Sequence, residues 1–360
     1  MESLFDNDPV VVRLNTQSGK NRHANTNNAE LERAADAVEV SNEAGTPNGT
    51  LKLFDIAPDT TLKRKSVSIV SPLRYAGSKR RFASYVAEVL VANNYRPRLF
   101  VEPFAGGLSV ALQMLADNLV DYVGIGELDP LVADFWQCVF FDTEWLIESI
   151  NTLEVTMDAW HHYKSYNPET TRERAMTCLF LNRTNFSGIL NQAVGPIGGI
   201  NQLSKYKIDC RFTKPTIIKR IRKAATYRDR VVFICNNGWQ QTIEYSLTLD
   251  YKPKDIFCYL DPPFYDKASK LYRYFFEDED HNCLRDALRA RKYKWLLSYD
   301  AADEIKLLYS DKRSFPAQHG VELLYTLARS KKHVSVKEIV VTNMPTLPLY
   351  NRVWRPTAQW

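Results

Sequence analysis

The segment Phe100-Val-Glu-Pro-Phe-Ala-Gly-Gly107 joins a short apolar run to a pair of glycines. A helical pattern follows, because Leu108, Ala111, Leu112 and Leu115 recur at the spacing of one helix face. Two glycines let the chain turn sharply and approach a ligand closely, and free N–H groups at the start of the next helix attract negative charge. The segment therefore predicts a strand, a tight turn and a helix, arranged as in nucleotide-binding α/β folds.

Similar short apolar runs recur from about residue 67 onward, and helical patterns separate several of them. Runs of this length and composition are typical of buried strands in parallel or mixed sheets. They predict strands at Arg98–Glu102, Asp121–Ile125, Val231–Cys235, Ile256–Leu260, Trp295–Tyr299, Leu323–Thr326 and Glu338–Thr342. We expect an α/β fold with a doubly wound, Rossmann-like sheet.

The strand pattern stops between Glu127 and Arg230, where helical runs surround a loop rich in glycine and proline, 195–199. The predicted helices are Leu131–Phe141, Glu144–Leu153, Arg172–Leu181 and Thr216–Ala225. Residues 1–65 are polar and poor in aromatic side chains, as in mobile segments. We expect a mobile leader over 1–65, a main α/β domain over 66–130 and 231–360, and a mainly helical insert over 131–230.

Charge is distributed unevenly along the chain. Residues 1–60 carry 5 Lys and Arg against 10 Asp and Glu, whereas residues 61–360 carry 42 against 32, a net charge of +10. Basic clusters suit a phosphate backbone, although each cluster taken alone is more typical of a solvated helix face. The clusters occupy residues 63–65, 79–81, 219–223 and 289–294.

Several classes of protein are disfavoured by composition. No apolar run approaches the roughly 18 residues of a membrane span, and the N-terminus MESLFDNDPV lacks a signal-peptide pattern, so we expect a cytoplasmic protein without membrane contact. The six cysteines form no CxxC pair and have no histidine at ligand spacing. Neither a disulfide framework nor a metal site is predicted.

An acidic residue, Glu127, stands twenty residues after Gly107, at the end of the next predicted strand. A carboxylate at this place in a nucleotide-binding fold can accept hydrogen bonds from both ribose hydroxyls. The glycine turn alone is more often a tight turn without a ligand. The two features together indicate a cofactor site.

The most specific motif is Asp261-Pro-Pro-Phe-Tyr265, which follows a predicted buried strand. The prolines stiffen the backbone, so the Asp261 carboxylate and the Pro262 carbonyl can be held as two fixed acceptors. Phe264 adds an aromatic face beside them. This set suits an amino group on a planar ring, with two N–H donors accepted and the ring stacked. A proline-stiffened turn with one exposed acid is the weaker reading, because α/β sites lie at strand ends.

Five segments in this order resemble the Dam-like, or D12 class, DNA adenine methyltransferases. They are Pro72–Lys79, Phe100–Gly107, Asn182–Ile189, Arg211–Lys214 and Asp261–Tyr265, and the resemblance covers roughly residues 66–345. The family places its cofactor motif before the Asp-Pro-Pro motif, with a helical target-recognition domain between them. The insert over 131–230 corresponds to that domain, and the main domain to the cofactor-binding and catalytic domain.

The resemblance implies transfer of a methyl group from S-adenosylmethionine to N6 of an adenine flipped out of double-stranded DNA, without a metal. It also implies a nucleoid location in a bacterium, and a cognate restriction endonuclease as an optional partner. The matching cofactor positions are Tyr75, Lys79, Phe104, Gly106, Gly107, Glu127, Asn237 and Asp261. The matching catalytic positions are Asp261, Pro262, Phe264 and Lys79, and the DNA-binding positions are Arg183, Phe186 and Arg211.

Three residues depart from the family pattern. Ser78 replaces a glycine, Phe264 replaces a tyrosine, and Asn237 stands where relatives have an acid near the cofactor adenine. These departures keep two other hypotheses open: a methyltransferase of the same fold acting on an RNA base or a protein glutamine, and a DNA-binding protein with a decayed cofactor pocket. Enzymes acting on glutamine usually begin the motif with Asn, whereas this chain has Asp261.

Overall fold

The computed structural model describes residues 69–75, 79–265, 268–289, 291–315, 317–326, 333–348 and 354–357. All of them belong to one compact unit. The leader predicted over 1–65 lies outside the described residues, as do Gly77 and Ser78 of the first motif.

An eight-stranded sheet forms the centre of the described fold. Its strands are β1 Leu99–Glu102, β2 Tyr122–Gly126, β3 Val231–Cys235, β4 Ile256–Leu260, β5 Lys294–Asp300, β6 Ala317–Thr326, β7 His333–Thr342 and β8 Trp354–Thr357. The order is β3-β2-β1-β4-β5-β7-β6-β8. The first five strands pair in parallel, and β7, β6 and β8 extend the sheet with antiparallel pairs. The seven predicted strands and the α/β sheet are confirmed, and β8 was not predicted.

Helices cover both faces of this sheet. They are α1 Phe82–Ala92, α2 Ser109–Ala116, α3 Pro130–Phe141, α4 Thr143–Thr152, α5 Met157–Ser165, α6 Thr171–Thr184, α7 Lys214–Ala225, α8 Trp239–Thr248, α9 Ala268–Leu271, α10 Asp278–Arg289 and α11 Asp303–Leu308. In the part of the chain described, no helix combines the length and the apolar character that a membrane crossing requires.

Alternate side chains of each central strand enter different cores. Phe257 and Tyr259 of β4 pack with α1 to α7, whereas Ile256, Cys258 and Leu260 pack with α8, α10 and α11. Because both faces are buried, the strand is apolar throughout. This explains why the sequence shows continuous apolar runs rather than alternation.

The helices of residues 131–230 pack in the same compact unit as the sheet, with α3 against α6 and α4 against α7. Asn182, fully buried in α6, joins this layer to the segment 69–75. Its Oδ1 accepts from the Arg74 N–H at 2.7 Å, and its Nδ2 donates to the carbonyls of Arg74 and Gly188 at 2.9 and 2.8 Å. The separate helical domain predicted over 131–230 stays a prediction.

We expect Asn182→Ala to lower the free energy of unfolding by about 2–4 kcal/mol, because it leaves buried backbone groups without partners. Chemical denaturation followed by circular dichroism measures this. Asn151→Ala, at an exposed position near the end of α4, is the matched control. Equal stability of the two variants would contradict the structural role of Asn182.

Candidate active site

The carboxyl ends of β1, β2, β3 and β4 meet at one edge of the sheet, because these strands are parallel neighbours. The chain reverses its direction of strand addition between β1 and β4, which is where α/β folds form ligand clefts. A cleft opens there. Of the predicted site residues, those that line it are Tyr75, Lys79, Phe104, Gly106, Gly107, Glu127 and Asp261.

The glycine turn after β1 is shaped by close contact with Tyr75. Gly106 has φ +43°, and a Cβ atom on it would lie 2.5 Å from Cε1 of Tyr75. An ideally placed Cβ atom on Gly107 would lie 3.0 Å from Cβ of Tyr75. Trp136 of α3 donates from Nε1 to the Gly106 carbonyl at 2.8 Å. Glycine at 106 is therefore required both by the backbone angle and by the space available.

Glu127 is fixed by backbone donors on two sides. Its Oε2 accepts from the Gly106 N–H at 2.7 Å and its Oε1 from the Asp129 N–H at 3.0 Å. Burial raises the pKa of Glu127 to about 7, and the hydrogen bonds oppose this shift. The carboxylate thus ties the turn after β1 to the end of β2 and faces the cleft.

Two donors hold the Asp261 carboxylate. Its Oδ1 lies 2.9 Å from Nζ of Lys79 and accepts from Oγ of Ser298 at 2.9 Å. Among the residues that the structure describes, both of these donors reach the same oxygen, Oδ1. Burial alone lowers the pKa of Lys79, but Asp261 and Glu338 more than compensate and raise it. Lys79 therefore stays protonated as the partner of Asp261.

Phe264 and the prolines flank this carboxylate. Nζ of Lys79 lies 5.4 Å from the centre of the Phe264 ring. The centres of the Phe264 and Tyr272 rings are 6.1 Å apart. Pro262 is buried, whereas Pro263 lines the cleft. Asp261 and the Phe264 ring thus both lie near the Lys79 ammonium, but the described cleft lining does not include Phe264 or Pro262, and their contact with a target base stays a prediction.

Several residues of the site were missed in the sequence. Glu102 lines the cleft at the end of β1 and accepts from the Ala111 N–H at 2.8 Å, and the strand-end position that indicated Glu127 could have indicated it too. Ser298 of β5, which donates to Asp261, was also not among the predicted site residues. Tyr272 stacks on Tyr75 with ring centres 5.9 Å apart, and Glu338 lies 3.5 Å from Lys79. No motif marks these last two.

A segment after the Asp-Pro-Pro motif borders the cleft from the other side. Tyr274, Phe275 and Phe276 line it together with Tyr272. Phe276 contacts Phe104 edge to face at 5.7 Å, and Arg273 forms an ion pair with Asp129 at 2.6 Å. The ring of Phe104, which precedes the glycine turn, therefore packs against this segment.

The remaining predicted residues lie outside the cleft lining. Asn237 directly precedes Gly238 and Trp239, which line the cleft. Arg183 is buried and donates to the carbonyls of Pro72 and Arg211, which favours a role in holding the segment 69–75. Phe186 is 66% exposed, and Arg211 is exposed. Contact of these side chains with DNA stays a prediction.

A family model described as D12 class N6 adenine-specific DNA methyltransferase matches residues 75–326. The chain belongs to this family. The match runs from Tyr75 to the end of β6, so it includes the glycine turn, Glu127, the helical layer and Asp261. A search of curated proteins found no match. The described residues of this D12 family member contain no group of three His, Cys, Asp or Glu that could hold a metal ion.

We expect the Glu127→Gln variant to show a weaker pH dependence of stability. The pKa of Glu127 rises from 4.5 to about 7 on folding, so the folded protein keeps a proton that the unfolded chain releases. As the pH rises from 4.5 to about 7, the free energy of unfolding therefore falls by up to about 1.4 kcal/mol per pH unit. Denaturation between about pH 5 and 7 measures the slope.

The comparison uses slopes, because the glutamine amide cannot accept from both N–H donors and lowers stability at every pH. Glu154→Gln, whose side chain is exposed, is the control and should keep the wild-type slope. An unchanged slope in Glu127→Gln would show that Glu127 does not bind the extra proton.

Proposed function

We propose that this protein transfers a methyl group from S-adenosylmethionine to the N6 amine of adenine within a short sequence of duplex DNA. The observation that carries the proposal is the Asp261 carboxylate, which Lys79 and Ser298 hold in the cleft that also contains the glycine turn. Membership of the D12 family supports DNA adenine as the substrate.

The cleft fits the cofactor chemically. S-adenosylmethionine supplies a methyl group activated by a sulfonium charge, and it also carries an ammonium group. Three carboxyl groups, those of Glu102, Glu127 and Asp261, line the cleft and complement such positive charge. Gly106 and Gly107 line the cleft together with Tyr75, whose ring packs against the glycine turn, and with Phe104, so the cofactor would lie against these residues. Asn237 would reach the adenine edge of the cofactor.

Asp261, Pro262 and Phe264 would hold the target base. An adenine amine delocalises its lone pair into the ring and is a poor nucleophile. The second carboxylate oxygen of Asp261 and the Pro262 carbonyl would accept its two N–H bonds, and Phe264 would stack on the ring. Fixing the hydrogens favours tetrahedral character and directs the lone pair, a form of positioning that contributes several kcal/mol. The base reaches this site by flipping out of the duplex.

Arginines concentrate where the segment 69–75 meets the helical layer. Nη1 of Arg220 donates to the Ser71 carbonyl at 3.3 Å, and Arg183 donates to Pro72. Burial, then Arg220 and Arg74, lower the pKa of Arg183 to about 9, while burial and then Arg211 lower that of Arg74. Like charges this close repel one another, and a DNA phosphate would relieve the repulsion.

Phe186 is placed to help the base leave the helix. It lies on a tight turn in which Ser187 has φ 58°, and its ring is largely exposed. Apolar side chains of this kind can insert between bases and support an unstacked nucleotide. We therefore assign Phe186 and Arg211 to the DNA interface, with the insert over 131–230 as the recognition element. Arg183, which is buried, would support this interface by holding the segment 69–75 and the Arg211 carbonyl.

The family match favours this function over methylation of RNA or of a protein amide. The intact pairing of Lys79 with Asp261 favours an active enzyme over a decayed pocket. The location in the cytoplasm or nucleoid and the restriction endonuclease partner stay predictions from the sequence.

We expect Asp261→Ala and Asp261→Asn to reduce methyl transfer by about 10²–10³-fold or more, because the fixed acceptor of the amine is lost. Incorporation of a labelled methyl group into adenine of unmethylated DNA measures this. Calorimetric titrations should show that both variants still bind DNA. Exposed Asp250→Asn is the control. Wild-type turnover in either Asp261 variant would refute the assigned role.

We expect Arg211→Ala to weaken DNA binding and to reduce the slope of log affinity against log salt by about 1, as for one lost phosphate contact. Fluorescence anisotropy over a salt series measures both quantities. Lys306→Ala is the control, because Lys306 lies in α11 on the opposite face of the sheet from the helical layer. A salt slope equal to that of the wild type would remove Arg211 from the phosphate contacts.

A further inference from the structure

The ion pair of Lys79 and Asp261 has a third member, Glu338, on β7. Nζ of Lys79 lies 2.9 Å from Asp261 and 3.5 Å from Oε1 of Glu338. The side chains of Lys79 and Glu338 are only 5% and 4% exposed. Glu338 lies beyond residue 326, where the family match ends.

The register of the sheet brings Glu338 to this place. In the antiparallel pair of β5 and β7, Glu338 stands opposite Asp300, two residues beyond Ser298. One carboxyl oxygen of Glu338 faces Lys79, and the other, Oε2, is buried and has no hydrogen-bond partner among the residues that the structure describes. An unsatisfied buried oxygen is unfavourable, and an apolar side chain would fill the space at less cost. This suggests that the ionisable group serves the adjacent site.

We propose that Glu338 is a positioning residue for methyl transfer, sharing the Lys79 ammonium with Asp261 and thereby keeping the Asp261 carboxylate a strong acceptor for the target amine. This assignment rests on the proposed function. Glu338 does not touch the substrate. It acts through Lys79, whose ammonium group bridges the two carboxyl groups.

Charge within the cluster explains the effect. When Glu338 is ionised, two carboxylates share one ammonium, and the cluster carries a net charge of about −1 by formal counting. When Glu338 is protonated, Lys79 is neutralised by Asp261 alone, and Asp261 becomes a weaker acceptor. The amine gains positive charge as its bond to the methyl carbon forms, so the ionised cluster stabilises the transition state better.

The surroundings of Glu338 set the pH at which this change occurs. Among the described residues, the ionisable groups that act on it are Lys79, Asp261, Asp300, Tyr272 and Tyr259, and Val321 of β6 is its neighbour on the other side. Burial raises the pKa of Glu338 to about 7, and Lys79 opposes the shift. The carboxyl group is therefore protonated below about pH 7 and ionised above it.

The test is single-turnover methyl transfer from about pH 5.5 to 8.5, with cofactor and DNA saturating, for the wild type, Glu338→Gln and Lys337→Gln. The wild-type rate should rise through about pH 7. Glu338→Gln should lack this rise and be slower by about tenfold at the upper pH limit, with unchanged affinity for both ligands. Lys337→Gln, on the same strand but exposed, should match the wild type.

Glu127 lines the part of the cleft that we propose for the cofactor. Because the cofactor is saturating, an effect of Glu127 on cofactor affinity does not change the measured rate of methyl transfer. A wild-type rate and a wild-type pH profile in Glu338→Gln would overturn the assignment. If that variant does not fold, Glu338→Asp replaces it, and a shorter carboxylate should retain the pH dependence at a lower rate. A rate independent of pH in a folded Glu338→Asp would equally overturn it.

If the wild type transfers no methyl group to DNA, the proposed function fails instead. The link between Glu338 and Asp261 is then tested without turnover, by following labelled glutamate carboxyl carbons by NMR. The Glu338 signal should titrate near pH 7 in the wild type and at a lower pH in Asp261→Asn, because a neighbouring negative charge is removed. An unchanged titration would contradict the link.

Discussion

An ion pair between buried Lys79 and partly buried Asp261 organises the candidate active site. It joins a residue next to the first helix to the loop after β4, two parts of the chain that are 182 residues apart in the numbering. Removing Lys79 would leave the carboxyl groups of Asp261 and Glu338 without their shared cation, which proteins tolerate poorly. The ion pair therefore fixes the orientation of the Asp261 carboxylate. The proposed hydrogen bond from the target amine to this carboxylate depends on that orientation.

The rest of the structure supports this pair from three directions. Ser298 on β5 holds the same oxygen of Asp261, and Glu338 on β7 lies on the far side of Lys79. Asn182 of the helical layer holds the backbone of Arg74, five residues before Lys79. The mainly helical layer thus also stabilises the edge of the sheet that carries the candidate active site.

Features that depend on neighbouring residues in the sequence were predicted, whereas features that depend on contacts between distant residues were missed. Strands and the glycine turn were predicted because apolar runs and the residues of a turn are local signals. Glu338, Tyr272 and Ser298 were missed as site residues, since their contacts come from sheet register and loop packing. Arg183 was predicted for DNA contact, but it is buried against backbone carbonyls, and its sequence motif does not distinguish the two placements.

The α/β sheet, the cofactor-like glycine turn, the acid after β2 and the Asp-Pro-Pro motif could all be predicted from the sequence. Each of these depends on residues within one short stretch. The cluster of Lys79, Asp261 and Glu338, and the contact of both Lys79 and Ser298 with one oxygen of Asp261, became visible in the folded structure. The reason is physical: the charge state of a buried carboxyl group depends on neighbours brought together through space, and spacing along the chain does not encode that distance.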